Sequence, residues 1–393
     1  DYRGGSTFPT SWLSSDTSAL ISKLTMSKLE ALSPPVRNKL AVADVKEGTQ
    51  AIYLRGNFGS ADKLLTGNVG MRYVRTRQET LGYIPDLTNI TFNQGGAVTI
   101  VPDATEQRIS RNYSNVLPSL NLRYKLSDEL QARFGAARVM SRPDLTSITP
   151  TTTVNANVKT ITSGNPALKP FLSDQLDATF EWYFNRESMV SAGVFYKDVK
   201  NFVVNTTSSQ TLLVKQADGS PAVSTTFTRF QPGNGDPVKI KGIELAYQQP
   251  FTFLPSPFNG VGMIANLTYI DAGKLATSVG GTPKSLPGVS KLTYNLTGYF
   301  EKGGFGAYVS YNYRDAYRAD ATNFVDYFSD GSTVKPYGQW DLSTSYKFSK
   351  TFSVTGAVTN LNNAAVKAVN DAGYGRGYEV TGRRITVGVR VDL

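Results

Sequence analysis

The segment Leu117–Val139 alternates apolar and polar residues on both sides of a tight turn. Before the turn, Leu120, Leu122 and Tyr124 share one parity, while Asn121 and Arg123 share the other. After Ser127 and Asp128, the same alternation resumes with Leu130, Ala132 and Phe134. A period of two predicts a β-hairpin with one apolar face. This unit alone fits a soluble β-sandwich and a membrane barrel equally well.

The same unit repeats along most of the chain, and about thirteen strands are predicted. The first is expected from about Leu40 to Phe58, and the last carries Ile385, Val387 and Val389 opposite Arg384 and Arg390. Short turns alternate with long polar excursions, which are predicted at about 78–111, 141–173 and 205–237. Outer-membrane barrels have short periplasmic turns and long extracellular loops, so this alternation favours a transmembrane antiparallel β-barrel over a sandwich.

Aromatic residues near the short turns support the same interpretation. They share the apolar parity and lie close to a turn, as expected for an aromatic girdle at the periplasmic interface. Ordinary core packing would explain the burial of these side chains, but not why they lie at a similar distance from the short turns. The predicted girdle consists of Tyr124, Phe134, Trp182, Phe184, Phe300, Phe305, Phe348 and Phe352.

Composition narrows the function classes. The 393 residues contain no Cys and no His, which excludes histidine-based catalysis and histidine metal sites. No apolar run reaches the roughly 18 residues that a transmembrane helix needs. The net charge of +10 comes from Lys and Arg spread singly along the strands, so nucleic-acid binding is not expected. No Asp/Glu cluster stands out, and the sequence predicts neither an enzyme nor a bound cofactor.

Several segments, taken in order, resemble the barrel of TonB-dependent outer-membrane receptors. They are GNVGMRYVRT (67–76), the stretch 113–145 that contains the opening hairpin, GNPALKPFLSDQLDATFEWYF (164–184), GVFYKDVKNFV (193–203), VKIKGIELAYQQPF (238–251), the stretch 286–318 and VTNLNNAA (358–365). The resemblance is greatest to the subgroup abundant in Xanthomonas and Caulobacter relatives. It implies a bacterial outer-membrane location, a barrel of twenty-two strands with an N-terminal plug, and energised nutrient uptake through TonB.

On this interpretation residues 1–39 are an extracellular loop segment and residues 40–393 are the C-terminal part of the barrel. Bacterial single-chain barrels have even strand numbers, whereas about thirteen strands are counted here. An open sheet of this size would also leave two edges in the membrane, whose backbone groups hydrocarbon cannot satisfy. We therefore expect an N-terminal barrel and plug portion as partner, as well as contacts with outer-membrane lipid and lipopolysaccharide. The TonB complex would act through that portion.

Two sets of residues are candidates for ligand passage and capture. Charged residues on the polar parity are predicted to face the lumen, although they fit equally a generic hydrated wall: Arg72, Arg123, Arg133, Glu181, Glu244, Arg314, Arg384 and Arg390. Aromatic residues in the long loops are candidate contacts for a small-molecule ligand, or else pack loop against loop: Tyr83, Phe92, Phe230, Tyr317, Phe324, Tyr327 and Tyr374.

The leading hypothesis is TonB-dependent active transport of a scarce nutrient such as a carbohydrate or a siderophore. The alternative is a passive porin-like channel or a structural surface barrel. A plug and a TonB-interacting segment would distinguish the two.

Overall fold

A computed structural model describes residues 39, 42–92, 98–100, 104–155, 158–275, 284–319 and 332–391. The strands, in chain order, are β1 (Asp44–Gly59), β2 (Leu65–Pro85), β3 (Ile90–Phe92), β4 (Val98–Ile100), β5 (Ala104–Lys125), β6 (Leu130–Ser141), β7 (Thr152–Asn155), β8 (Thr160–Ser163), β9 (Phe171–Asn185), β10 (Ser188–Lys200), β11 (Val203–Gln216), β12 (Val223–Asn234), β13 (Val238–Pro250), β14 (Val261–Asp271), β15 (Lys274–Leu275), β16 (Lys284–Ser285), β17 (Leu292–Lys302), β18 (Phe305–Arg314), β19 (Tyr317–Arg318), β20 (Thr333–Val334), β21 (Tyr337–Lys347), β22 (Phe352–Thr359), β23 (Val366–Val369), β24 (Gly375–Glu379) and β25 (Arg384–Val391). Short 3₁₀ turns lie at Leu87–Asn89, Leu145–Ile148 and Phe258–Gly260.

Thirteen of these strands form one large sheet, which we call the wall. Its order is β1-β2-β5-β6-β9-β10-β13-β14-β17-β18-β21-β22-β25, and the pairs whose registers are resolved along it are antiparallel. The predicted strand count is confirmed. Within the described residues β1 and β25 each have a wall neighbour on one side only, so the wall has two open edges.

The wall has one apolar and one polar face, as the alternation predicts. In the β1–β2 pair, Ile52 lies opposite Tyr73 and Leu54 opposite Met71, whereas Tyr53 lies opposite Arg72. Ile52, Leu54 and Met71 are 70%, 74% and 56% exposed. Large apolar side chains this exposed are costly in water, so this face requires an apolar environment. No described helix has the length and apolarity of a membrane span.

Two wall strands extend well beyond the apolar band. β2 and β5 have 21 and 22 residues, or about 70 Å at roughly 3.3 Å per residue, against a band of roughly 25 Å. Their upper halves pair continuously from Pro85–Ala104 down to Thr76–Tyr113. The prediction of a loop over 78–111 was therefore wrong for residues 78–85 and 104–111, which belong to these strands. The apolar alternation is missing there because these residues lie above the apolar band, where outward-facing side chains are polar.

The predicted loop at 205–237 also contains strands. β11 and β12 pair along twelve positions, from Val203–Asn234 to Val214–Val223. The prediction failed because Thr and Ser occupy both faces of this hairpin, which hides the period of two. The hairpin belongs to a second, six-stranded sheet of order β4-β3-β11-β12-β8-β7, in which β11 pairs parallel to β3 and β12 parallel to β8.

This six-stranded sheet, which we call the loop layer, collects strands from three different long loops. Ile90, Ile161, Val214 and Phe227 form its fully buried core. A smaller, four-stranded loop sheet has the order β19-β20-β23-β24 and a core of Ala319, Val334 and Ala368. Long loops of the wall are thus folded around cores of their own.

The two wall faces should respond differently to a new charge. Leu245 and Glu244 are neighbours on β13, with Leu245 on the apolar face opposite Ala192 and Leu267, and Glu244 on the polar face. Because a cation near the bilayer midplane costs about 2–4 kcal/mol, Leu245→Arg should reduce the stability of the protein folded into bilayers by about that amount. Glu244→Arg is the matched control and should change it by less than about 1 kcal/mol. Urea titration of folding into lipid vesicles measures both, and equal losses would contradict the assignment of faces.

Candidate functional site

The polar face of the wall holds all eight charged residues predicted to face a lumen. The strand registers place each of them on the parity opposite the exposed apolar side chains: Arg72, Arg123, Arg133, Glu181, Glu244, Arg314, Arg384 and Arg390. Their common face is a structural finding. Contact with a transported ligand stays a prediction for each of them.

Glu181 is the centre of a side-chain network on this face. Its carboxylate accepts hydrogen bonds from Gln131 Nε2 at 2.5 Å and Tyr183 OH at 2.9 Å. The Arg133 guanidinium forms an ion pair with it at 2.9 Å. The Glu181 side chain is only 13% exposed, whereas that of Arg133 is 50% exposed. The network therefore holds Arg133 in place and leaves part of its guanidinium accessible to an anion.

Amide side chains cross-link the same face between neighbouring strands. Asn121 donates to Asn68 at 3.1 Å, and Asn295 donates to Asn266 at 2.8 Å. Beside the first pair, Arg55, Asn57 and Arg123 line a polar recess of about 330 Å³. This face offers donors and acceptors along its length, which suits a hydrated passage or a polar protein surface packed against it.

The loop layer covers the polar face of β2 above the apolar band. Val74, Thr76, Gln78 and Thr80 are at most 3% exposed, although they lie on the polar parity. A Cβ at Gly82 would lie within 2.8 Å of the Thr151 backbone, so only glycine permits this approach of loop and wall. The opening on this side of the wall is therefore narrowed by folded protein.

Three predicted loop contacts fall in this region, and they differ in placement. Phe230 is 38% exposed, on the face of β12 opposite to the buried Phe227. Tyr83 continues the apolar parity of β2 and donates a hydrogen bond to Glu106 at 3.2 Å, which turns it away from the polar face. Phe92 lies in β3, and its side chain is outside the described residues.

Tyr317 packs in the four-stranded loop sheet. It lies against the core of Ala319, Val334 and Ala368, and the Arg314 guanidinium lies 3.8 Å from its ring centroid. Arg314 Nε also donates to Ser290 Oγ at 2.7 Å. Contact of Tyr317 with a ligand stays a prediction. Phe324 and Tyr327 lie outside the described residues.

Among the described residues of the long loops, the hairpin β23–β24 presents the most exposed aromatics. Tyr374 and Tyr378 are 73% and 70% exposed, and Arg376 lies between them. Asp371 at the hairpin turn pairs with Lys284 from another long loop at 2.7 Å, and the hydrogen bond from Lys284 lowers the pKa of Asp371. Tyr378 was missed as a candidate, although its spacing from Tyr374 in GYGRGYE was visible.

Asn360 fixes the start of the long connection between the wall strands β22 and β25. It is 1% exposed and has φ 58°, in the left-handed region that Asn tolerates better than most residues. Its side chain bonds the backbone of Ala364 and Gly382, and its amide N–H donates to Asp341 Oδ1 at 2.8 Å. The hairpin that carries Tyr374 is thereby anchored to the polar face of β21.

Aromatics predicted as a girdle cluster around the short turns. Ring centroids lie 5.0 Å apart for Trp182–Phe184, 6.2 Å for Phe300–Phe305 and 5.4 Å for Phe348–Phe352. Tyr124 pairs with Leu65 and Ala132 near the turn that follows β5. Phe134 lies farther up its strand, because its neighbour on β9 is Ala178, four residues from Trp182.

Neither a metal site among the described residues nor a curated relative indicates a function for the chain. Among the described residues no group of three or more carboxylates is placed to hold a metal ion. No curated protein matches the chain significantly.

A family model and solved structures do match. Residues 9–361 match the model described as TonB dependent receptor-like, beta-barrel. Similar structures include the ferric enterobactin receptor PfeA of Pseudomonas aeruginosa (17% identity, TM-score 0.57, 89% of this chain and 54% of that one). The ferric-catecholate import receptor Fiu of E. coli matches with 14% identity, TM-score 0.59 and coverages of 89% and 45%. The siderophore receptor PiuA of Acinetobacter baumannii matches with 14% identity, TM-score 0.55 and coverages of 89% and 44%.

These structures show that the chain shares their barrel fold, and the family match indicates an outer-membrane location. The chain spans about half the length of the solved structures it matches.

The Glu181 network should contribute to the stability of the wall. Glu181→Gln removes the charge that faces Arg133, and coupled groups of this kind interact by about 0.5–3 kcal/mol. Glu181→Gln should therefore reduce the stability of the protein folded into vesicles by an amount within that range. Adding Arg133→Gln should cause little further loss in the double variant. Glu244→Gln is the control, because Glu244 has no ion pair within the described residues. Additive losses in the double variant would contradict the coupling.

Proposed function

Because the chain belongs to the TonB-dependent receptor-like β-barrel family, we propose that it forms part of an outer-membrane barrel that takes up a scarce small molecule with energy supplied through TonB. The observation that carries this proposal is the combination of a polar wall face with folded loops over its outer end. A barrel built only for passive diffusion needs no covered opening, whereas a receptor that captures its ligand does.

We further propose that this chain supplies the C-terminal part of the wall. The open edges of β1 and β25 support this, since unpaired N–H and C=O groups cost several kcal/mol each in hydrocarbon. Additional strands would pair with both edges, and a plug would occupy the enclosed space and carry the contact with TonB. The subgroup abundant in Xanthomonas and Caulobacter relatives stays our proposal for the closest branch of the family.

The ligand class is proposed from the chemistry of the loops and the polar face. Exposed Tyr374 and Tyr378 offer flat faces for stacking, and Arg133 offers a partly exposed guanidinium to an anionic group. An anionic aromatic chelate such as a ferric catecholate siderophore matches both features, and a carbohydrate matches the aromatic faces alone. The similar structures named above include receptors for ferric enterobactin and ferric catecholates. We propose no enzymatic step.

Uptake in cells tests energised transport against a passive channel. The whole protein that contains this chain should be produced in a Gram-negative strain without its own siderophore receptors, and cell-associated radioactive iron measured after addition of ferric enterobactin. Accumulation should stop when a protonophore collapses the proton gradient, because TonB draws on that gradient. A maltodextrin serves as the second probe. Uptake of either solute that persists with the protonophore would favour the passive channel, and uptake of neither would overturn both ligand classes.

Loop aromatics should contribute to capture of the ligand. Tyr374→Ala and Tyr378→Ala should each weaken binding of ferric enterobactin to intact cells by about tenfold, or about 1.4 kcal/mol. Phe253→Ala is the control, since Phe253 is equally exposed at 71% but lies in the connection between β13 and β14 at the short-turn end. Equal affinities in all four proteins, measured by titration with the labelled chelate, would remove these tyrosines from the site.

A further inference from the structure

A trough crosses five neighbouring strands on the apolar face of the wall. One row of residues in register runs across it, with Phe134 on β6, Ala178 on β9, Val194 on β10, Ile243 on β13 and Tyr269 on β14. The two end residues are aromatic and the three between them are smaller. The result is a depression of about 610 Å³ between two aromatic walls.

The floor of the trough is the sheet itself, closed from the other side. Gly242 lies beside Ile243, and a Cβ there would lie 2.4 Å from the Phe195 ring on the polar face. Phe195 therefore covers the backbone at Gly242 from the polar side. The depression is open only toward the surroundings of the apolar face, and its occupant must come from there.

A charged rim bounds the trough at the long-loop end only. The next row toward that end contains Tyr196, Lys241 and Asp271, and Lys241 pairs with Asp271 at 3.6 Å. Lys291 places its ammonium 5.5 Å from the Tyr269 ring centroid. In the opposite direction, the same strands present Trp182, Val190 and Leu245, which carry no charge. The trough thus has an apolar body and one ionic end.

The rim carries an excess of positive charge. Its outward-facing cations are Arg138, Lys200, Lys239, Lys241 and Lys291, against the carboxylates of Asp174, Asp198 and Asp271. Arg138 and Lys200 both bind Asp174, at 2.6 and 2.9 Å. Lys239 and Lys291 have no ion pair within the described residues. An anionic group is therefore favoured at this end, and lysine ammonium groups suit phosphate.

We propose that this trough binds the acyl portion of a phosphate-bearing lipid of the outer leaflet, with the phosphate at the rim formed by Lys241 and Lys291. Long loops mark the outer side of the wall, so the ionic end lies at the depth of outer-leaflet headgroups. Because lipid tails are as apolar as the trough, the acyl chain is held by van der Waals contact with its walls, and the phosphate is held by the cations of the rim. A second copy of this chain fits less well, since an apolar contact here would desolvate the Lys241–Asp271 pair. This site is independent of the transported ligand and of TonB.

Binding of lipid A and of its dephosphorylated form to the purified whole protein tests the site. Native mass spectrometry in detergent counts bound lipid as each probe is titrated. The unchanged protein should bind lipid A, and the dephosphorylated form should bind about thirtyfold more weakly, at about 1 kcal/mol for each of two lysines. The double variant Lys241→Gln, Lys291→Gln should lose the same factor for lipid A and nothing for the dephosphorylated form. Lys63→Gln with Lys350→Gln, in short turns, is the charge control.

A second pair of variants tests the trough itself. Val194→Trp fills it and should reduce binding of both probes, whereas Val190→Trp lies on the same strand and face but outside it and should not. Equal effects of the two tryptophans, equal binding of the two probes, or a dimer of the whole protein in place of the lipid would each overturn the proposal. Retained resistance to urea in every variant confirms that the wall has folded.

Discussion

Pairing of backbone N–H and C=O groups in an environment without water is the constraint on which this structure depends. In hydrocarbon an unpaired group costs several kcal/mol, so an extended segment must find two neighbours or lie at an interface. Eleven inner wall strands satisfy this rule, while β1 and β25 satisfy it on one side. The same constraint fixes register, since a slip of one residue would move Leu54 and Met71 to the polar face and Tyr53 and Arg72 to the apolar one.

Outside the apolar band, water can satisfy backbone groups, and strands form there only where a hydrophobic core stabilises them. Loops in water pair their backbone groups with solvent, so their strands exist only where a core holds them. Ile90, Ile161, Val214 and Phe227 come from three separate loops and are buried against one another. The loop layer is therefore a joint product of distant segments, and it covers the polar face of β2 because β2 and β5 extend far enough to carry it. The opening is shaped by packing as well as by loop sequence.

This division explains what could be predicted from the sequence. Lipid imposes alternation, and alternation is local, so the thirteen wall strands and turns such as Ser127–Asp128 were predicted correctly. In β11 and β12, Thr and Ser occupy both faces, and the parallel pairings of Lys215 with Thr91 and of Arg229 with Ile161 join segments far apart in the chain. No local pattern encodes such pairings. Likewise, Tyr83 and Phe230 look alike as loop aromatics, and only the fold shows that Tyr83 turns outward to Glu106.

The trough also depends on register, because it exists only when Ala178 and Val194 lie side by side between Phe134 and Tyr269. The two faces of the wall share one backbone. Ile243 and Tyr269 line the trough on the apolar face, and Phe195 covers the same backbone on the polar face. On the polar face the Lys197 ammonium lies 5.4 Å from the centroid of the Phe195 ring. A molecule held in the trough would therefore press on backbone that also positions polar-face side chains. At Gly242 the lipid-facing surface and the candidate passage are separated by the backbone and the Phe195 ring that covers it.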